Sequence, residues 1–241
     1  MCTLIVFRNV DPRFPLVIAA NRDERPARPT RNPAELAGGI YAPIDLVRGG
    51  SWIGVNDRGL TASLTNRFLA PRRHGRRSRG LLVTEALAAS STAEAVAAIL
   101  LQPNGAYNGF QLFLDDGRDA ALVWSNGGGY FAERLDQGIW VFTGDDDRPG
   151  SSERAEVVGN WMGIGGPRLD NWNWLRLLLS FHGQGPEDGT CVHGPGVSME
   201  SVFSMIIRRP AGTNAWQIAW RAGRPCQNDV WWRVDRPVVQ P

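Results

Sequence analysis

The chain contains no lysine, so all 26 of its basic side chains are arginine. That absence excludes a Schiff-base lysine, a Walker-type phosphate lysine and a Ser-Lys dyad from its chemistry. Cysteine is scarce too. The three present, Cys2, Cys191 and Cys226, form no CxxC pair, and an odd number fits a reducing compartment better than a disulfide framework. No apolar run approaches a membrane span, and with only Met1 ahead of Cys2 no signal or lipoprotein leader is expected. These absences predict a cytoplasmic protein without stable membrane insertion. Net charge is only +2. The most basic run, Arg72-Arg73-His74-Gly75-Arg76-Arg77-Ser78-Arg79, lacks interleaved aromatics, so it reads as a solvated loop and no nucleic-acid partner is expected. With 241 residues, 43% of them hydrophobic, the chain has enough apolar material for one domain spanning residues 1–241.

What is present concentrates at the start. If Met1 is trimmed, Cys2 carries both a thiol and a free α-amine, which puts a nucleophile and a base on one residue. Thr3 to Phe7 and Leu16 to Ala20 read as two strands joined by a turn around Asp11 and Pro12. Antiparallel pairing about that turn sets Cys2 near Asn21, with Arg22, Asp23 and Glu24 close by. Two readings stand side by side: a reactive cysteine in a polar cluster, or a solvated strand exit with Met1 retained.

Arg25 through Pro33 shows neither helix nor strand pattern and reads as a loop, followed by a short strand at Ile40 and Tyr41. Trp52 to Val55 and Leu60 to Thr65 form a hairpin whose turn is written in Asn56-Asp57-Arg58-Gly59. Asn66 ends its second strand. A side-chain amide there either donates to a developing oxyanion or caps the next loop.

Helices are expected from Gly80 and, with Thr92 as cap, over Ala95 to Leu101. Strands follow at Phe110 to Leu114, Ala120 to Trp124, Tyr130 and Trp140 to Thr143. Asp145-Asp146-Asp147 lacks the alternating ligands of a calcium loop and reads as a turn. The segment of Trp161, Trp172, Trp174 and Leu175 to Leu179 predicts an amphipathic helix capped near Asp170. Cys191 and His193, two apart on an expected strand, share a face, and either can ligate a metal or haem iron; a buried cysteine and a satisfied histidine is the plainer reading. Val202 to Ile207 and Trp216 to Trp220 predict a final hairpin. No metal or cofactor is assigned.

The opening Met1-Cys2-Thr3, Asn21-Arg22-Asp23-Glu24, Trp52-Ile53-Gly54-Val55-Asn56 with Leu64-Thr65-Asn66, Ser78-Arg79-Gly80 and Tyr107-Asn108-Gly109-Phe110 together resemble the NRDE proteins, also called the transport and Golgi organisation family. That family is similar in turn to N-terminal-nucleophile hydrolases of the penicillin V acylase and bile-salt hydrolase type. The resemblance implies an α+β fold, a four-layer αββα sandwich of two antiparallel sheets. It also implies Cys2 as nucleophile with its amine as base, Arg22 and Asp23 flanking it, and Asn66 in an oxyanion hole. Arg22 would lower the thiol pKa and Asp23 would position the amine.

The partner implied is a small-molecule amide. The alternative is a non-catalytic carrier or trafficking factor that keeps the fold and takes haem as its ligand. Two departures from the hydrolase pattern bear on that choice. Phe142-Thr143-Gly144-Asp145 lacks a second asparagine, and Met199 stands where relatives carry an arginine, so a second positive group is expected to be missing. Pro225-Cys226 reverses the Cys-Pro order of haem-regulatory motifs.

The free-amine chemistry predicts that the protein purified from cells has lost Met1. An intact mass that retains Met1 would remove that mechanism.

Overall fold

The computed structural model describes residues 2–69, 72–146, 150–227 and 230–239. The chain divides into two compact units, one of Met1–Ala27 with Gln137–Arg236 and the other of Arg28–Asp136 with Pro237–Pro241. Each unit has its own antiparallel sheet and helix pair, which is the α+β class expected.

The first unit is built on β1 (Thr3–Arg8) and β2 (Leu16–Glu24), paired so that Thr3 faces Asn21. This is the register expected from the turn; Asn9, with φ of 55°, helps to close it. The sheet runs β10 (Gly138–Phe142), β1, β2, β11 (Glu200–Arg209), β12 (Ala215–Ala222) and β13 (Trp232–Pro237). Ile5, Phe7, Val17 and Ala19 on one face pack with Val158 and Met162 of α3 (Glu153–Gly163) and Leu175 and Leu178 of α4 (Trp172–Leu179). Full burial of each of the larger of these side chains contributes about 1.5–3 kcal/mol. The alternate residues Leu4, Val6, Ile18 and Ala20 are buried too, so β1 and β2 read as continuous apolar runs rather than as amphipathic strands.

The second unit orders its seven strands β3 (Thr30–Leu36), β4 (Ile40–Asp45), β5 (Ile53–Asn56), β6 (Thr61–Asn66), β7 (Phe110–Asp115), β8 (Ala120–Ser125) and β9 (Phe131–Arg134) as a meander. Helices α1 (Gly80–Leu87) and α2 (Thr92–Leu100) supply Leu82, Val83, Ala95 and Ile99 to a core with Leu64, Tyr107, Phe110 and Leu112. Several of the motif residues prove to be joints of this unit. Asn56 donates to the Leu87 and Ala89 carbonyls at 2.9 and 3.0 Å and accepts from the Arg58 and Leu60 amides, tying the hairpin to the end of α1. Asn108 exchanges hydrogen bonds with the Arg73 backbone, and Arg79 donates to the Gly109 carbonyl at 2.8 Å.

Several expectations are corrected. Arg25–Pro33 is not all loop, because β3 begins at Thr30. An edge strand leaves one row of amides unpaired, so Pro33 is tolerated there, and a register shift between Arg31 and Ala34 surrounds it. The α2 cap is Ser91, whose hydroxyl accepts from the Glu94 amide, and the Glu94 carboxylate returns to the Ser90 amide. The Trp-rich segment is two helices: Trp161 lies in α3, and α4 is capped by Asn171, one residue after Asp170. Cys191 to His193 form a loop rather than a strand. Strand β13 went unanticipated. Asp147 of the acidic triplet lies outside the described residues; Asp146 is a turn organiser, accepting from the amides of Thr143, Gly150 and Ser152. Among the described residues no helix is long and apolar enough to cross a membrane.

Gly50 has φ of +74°, and a Cβ on it would meet the Gly80 carbonyl carbon at 2.3 Å. Gly50→Ala is therefore expected to combine a left-handed backbone cost of about 1–2 kcal/mol with an overpacking cost of about 1–3 kcal/mol. Urea unfolding should show a loss of about 2–5 kcal/mol; an unchanged midpoint would contradict the close approach.

Candidate active site

Four strand ends meet at one rim of the first unit's sheet. There β1 and β11 begin, while β2 and β10 finish. Cys2 stands one residue before Thr3. Continuing the pairing of Thr3 with Asn21 and of Leu4 with Phe142 sets it level with Arg22 on one side and Gly144 on the other.

Each polar side chain at this rim is held by a different segment. Asn21 donates its amide to the Leu179 and Thr190 carbonyls at 2.8 and 2.7 Å and accepts from the Ser204 hydroxyl at 2.6 Å, so it is a structural anchor. Arg22 is buried, with its guanidinium 3.8 Å from Glu24. The Asp23 side chain is fully buried; it accepts from the Ser201 hydroxyl at 2.6 Å and pairs with Arg154 at 3.3 Å. Arg154 also donates through Nε to the Gly189 carbonyl at 2.6 Å, while its buried Nη1 finds no hydrogen-bond partner among the described residues. Breaking such a buried pair by removing one member costs about 3–5 kcal/mol.

Arg154 corrects the expectation that a second positive group is missing. It arises from α3, not from the Met199 position, and nothing in the local sequence around it marks it out. Ser201, two residues after Met199, is the other residue that sequence reasoning passed over. A shift in register between Ser201 and Phe203 aligns Ser201 with Asp23 and Phe203 with Arg22.

Electrostatics at the rim are dominated by burial. It raises the Cys2 thiol above its ordinary value, reinforced by the Asp23 charge; a hydrogen bond with the Asp23 backbone and the charge of Arg22 act the other way. Arg22 thus lowers the thiol pKa as expected, but the net shift is upward. Burial also raises Asp23, opposed by Arg154 and Ser201. Cys2, Arg22 and Asp23 are therefore brought together. Asn66 ends β6 in the second unit, paired with Phe110. Its successor Arg67 lies over the Trp124 ring at 4.9 Å.

Elsewhere in the first unit, Cys191 and His193 are joined by His182 and Cys226, with ligand atoms all within 4.8 Å of one another. The sequence signal was half visible in the Cys191-Val192-His193 triplet; His182 comes from the start of the same loop and Cys226 from a later segment.

Likeness to solved structures defines the fold. The chain superposes on an N-acylethanolamine-hydrolysing acid amidase orthologue from Caenorhabditis elegans with a TM-score of 0.60 at 12% identity, over 86% of this chain and 92% of that one. For penicillin V acylase from Agrobacterium tumefaciens the TM-score is 0.52 at 14% identity, over 97% and 86%. For a conjugated bile acid hydrolase from Clostridium perfringens it is 0.54 at 11%, over 98% and 92%. The fold is that of the N-terminal-nucleophile hydrolases.

The chain belongs to the Transport and Golgi organisation 2 family, whose sequence profile matches residues 1–165. It is 35% identical over 129 residues to the Transport and Golgi organization protein 2 homologues of Bos taurus and Homo sapiens. Each match covers 48% of this chain and 45% of the relative, so the chain spans about half the length of the relatives it matches.

Because the folded Cys2 thiol holds its proton more tightly than the unfolded one, raising pH through the thiol range should weaken the folded state at this site. Alkylation of Cys2, followed by peptide mass spectrometry, should show a pH midpoint above that of the urea-unfolded chain. A midpoint at or below the unfolded one would contradict dominance by burial.

Proposed function

We propose that the protein is an N-terminal-cysteine amidohydrolase that cleaves a linear carbon–nitrogen bond through a thioester. The observation that carries this reading is the burial of Cys2 at the sheet rim, beside the Asp23–Arg154–Ser201 network. After removal of Met1, the Cys2 sulfur attacks the amide carbonyl carbon while the thiol proton passes to the α-amine of the same residue. That amine gives the proton to the leaving nitrogen as the carbon–nitrogen bond breaks. Water, deprotonated by the amine, then opens the thioester to release the carboxylic acid and restore the thiol.

A raised thiol pKa is compatible with this sequence, since the proton is removed during attack rather than before it. Asp23 holds the amine in position, and the charge of Arg22 favours the developing thiolate. Backbone amides at the rim are the oxyanion donors of this reading.

A second reading, a non-catalytic carrier of haem, is favoured by one observation. Thr143 and Gly144 stand beside the start of β1, so no side-chain amide flanks Cys2 from β10. The amidohydrolase reading expects Cys2→Ala to abolish turnover in a screen of acyl amides. Asp23→Asn should reduce it by roughly 10²–10⁴-fold with little change in KM. Equal rates for wild type and Cys2→Ala would sink it, and a saturable Soret shift on haem titration would then favour the carrier.

A further inference from the structure

We propose that His182, Cys191, His193 and Cys226 form a four-coordinate site for a single zinc ion, structural in kind and separate from the Cys2 rim. The two readings are independent: zinc could bind here whether or not the protein hydrolyses amides.

The four residues are gathered by specific folding features. His182 follows α4, and the chain from there doubles back on itself. The Cys191 amide donates to the Phe181 carbonyl at 2.9 Å, and the Thr190 hydroxyl bonds the Leu178 and Phe181 carbonyls. Gly189 makes that return possible, because a Cβ there would meet the Phe181 carbonyl oxygen at 2.2 Å. The loop is then pinned to β11 in both directions: Ser201 N–H donates to the Val192 carbonyl at 2.7 Å, and the Val192 amide donates to the Ser201 hydroxyl at 2.9 Å. Cys226 arrives from the segment between β12 and β13. There Arg224 is ion-paired to Glu200 at the start of β11.

Inside this frame the side-chain donors converge on a point instead of pairing off. His193 Nε2 lies 3.0 Å from His182 Nε2 and 3.2 Å from the Cys226 sulfur. An imidazole Nε2 carries either one in-plane proton or one lone pair, so it can satisfy one of these neighbours but not both. All four ligand atoms fall within 4.8 Å of one another. A tetrahedron with metal–nitrogen bonds of about 2.0–2.1 Å and metal–sulfur bonds of about 2.3 Å has edges of roughly 3.3–3.8 Å. The two short spacings need a few tenths of an ångström of expansion at the histidines, and the widest spacing, up to 4.8 Å, must close by about 1 Å. Two thiolates and two imidazoles are the donor set that zinc takes in closed structural sites, and four protein ligands leave no position for a substrate.

Binding displaces the Cys191 and Cys226 thiol protons to solvent, so affinity rises with pH. The consequence reaches the rim through the backbone. The loop that the ion would clamp supplies the Gly189 carbonyl to Arg154 and the Thr190 carbonyl to Asn21.

The test uses the full chain, purified under reducing conditions and freed of metal by a chelator. Titration with zinc should load one equivalent by elemental analysis. Cobalt(II) should give the visible bands of a tetrahedral ion together with a near-ultraviolet thiolate charge-transfer band. Cys2→Ala should bind as wild type does. Cys226→Ser and His182→Ala, at accessible positions where misfolding is not expected, should each weaken zinc by more than the roughly 10–100-fold typical of losing an outer-shell partner. Absence of both metal and charge-transfer band in reduced protein with its thiols free would overturn the proposal. So would a band lost with Cys2 but kept in Cys226→Ser. If air-exposed protein carries a Cys191–Cys226 disulfide, the assay is read after reduction, and failure to bind then is equally decisive against it.

Discussion

A carboxylate buried with no exposed atom is the constraint around which the first unit is arranged. Asp23 sits near the end of a strand whose earlier residues are apolar, and its charge must be answered locally. The answer comes from two elements far away in sequence, the hydroxyl of Ser201 on β11 and the guanidinium of Arg154 on α3. Arg154 must itself be held, which draws in the Gly189 carbonyl. Helix, loop and two strands are thus fixed relative to the strand end beside Cys2. The order of that rim is a by-product of satisfying one buried charge.

The local parts of this arrangement could be read from sequence. The first hairpin follows from two β-branched runs about a proline turn, and its register carries Asn21 to Asp23 to the level of Cys2 without further information. The Trp52 hairpin and α1 are legible for the same reason: turn residues and apolar spacing act within a dozen positions. Arg154 and Ser201 are not legible, because what selects them is a partner more than a hundred residues away. Strand β3 hid for a different reason. Its proline contradicts strand propensity, and only knowledge that it lies at an edge lifts the contradiction.

The motif residues shared with the family divide into two kinds. Asn56, Gly80, Asn108 and Gly109 make joints in the second unit, where their side chains or their lack of one permit close backbone approach. Cys2, Arg22 and Asp23 cluster at the rim with little architectural reason for a thiol among them. Burial holds the Cys2 proton tightly, and burial likewise raises the Asp23 carboxyl beside it.

The first unit is discontinuous, made of the chain's opening and its later half, with the second unit between them. The rim therefore depends on the pairing of β2 with β11, strands separated by most of the chain. Contacts of such long sequence separation form slowly, since a large loop must close before they stabilise anything. During synthesis the second unit's strands are complete while β1 and β2 still lack their neighbours. The cysteine thus remains unassembled until Glu200–Arg209 has emerged, and nascent or truncated chains carry it without the surroundings that would restrain its reactivity.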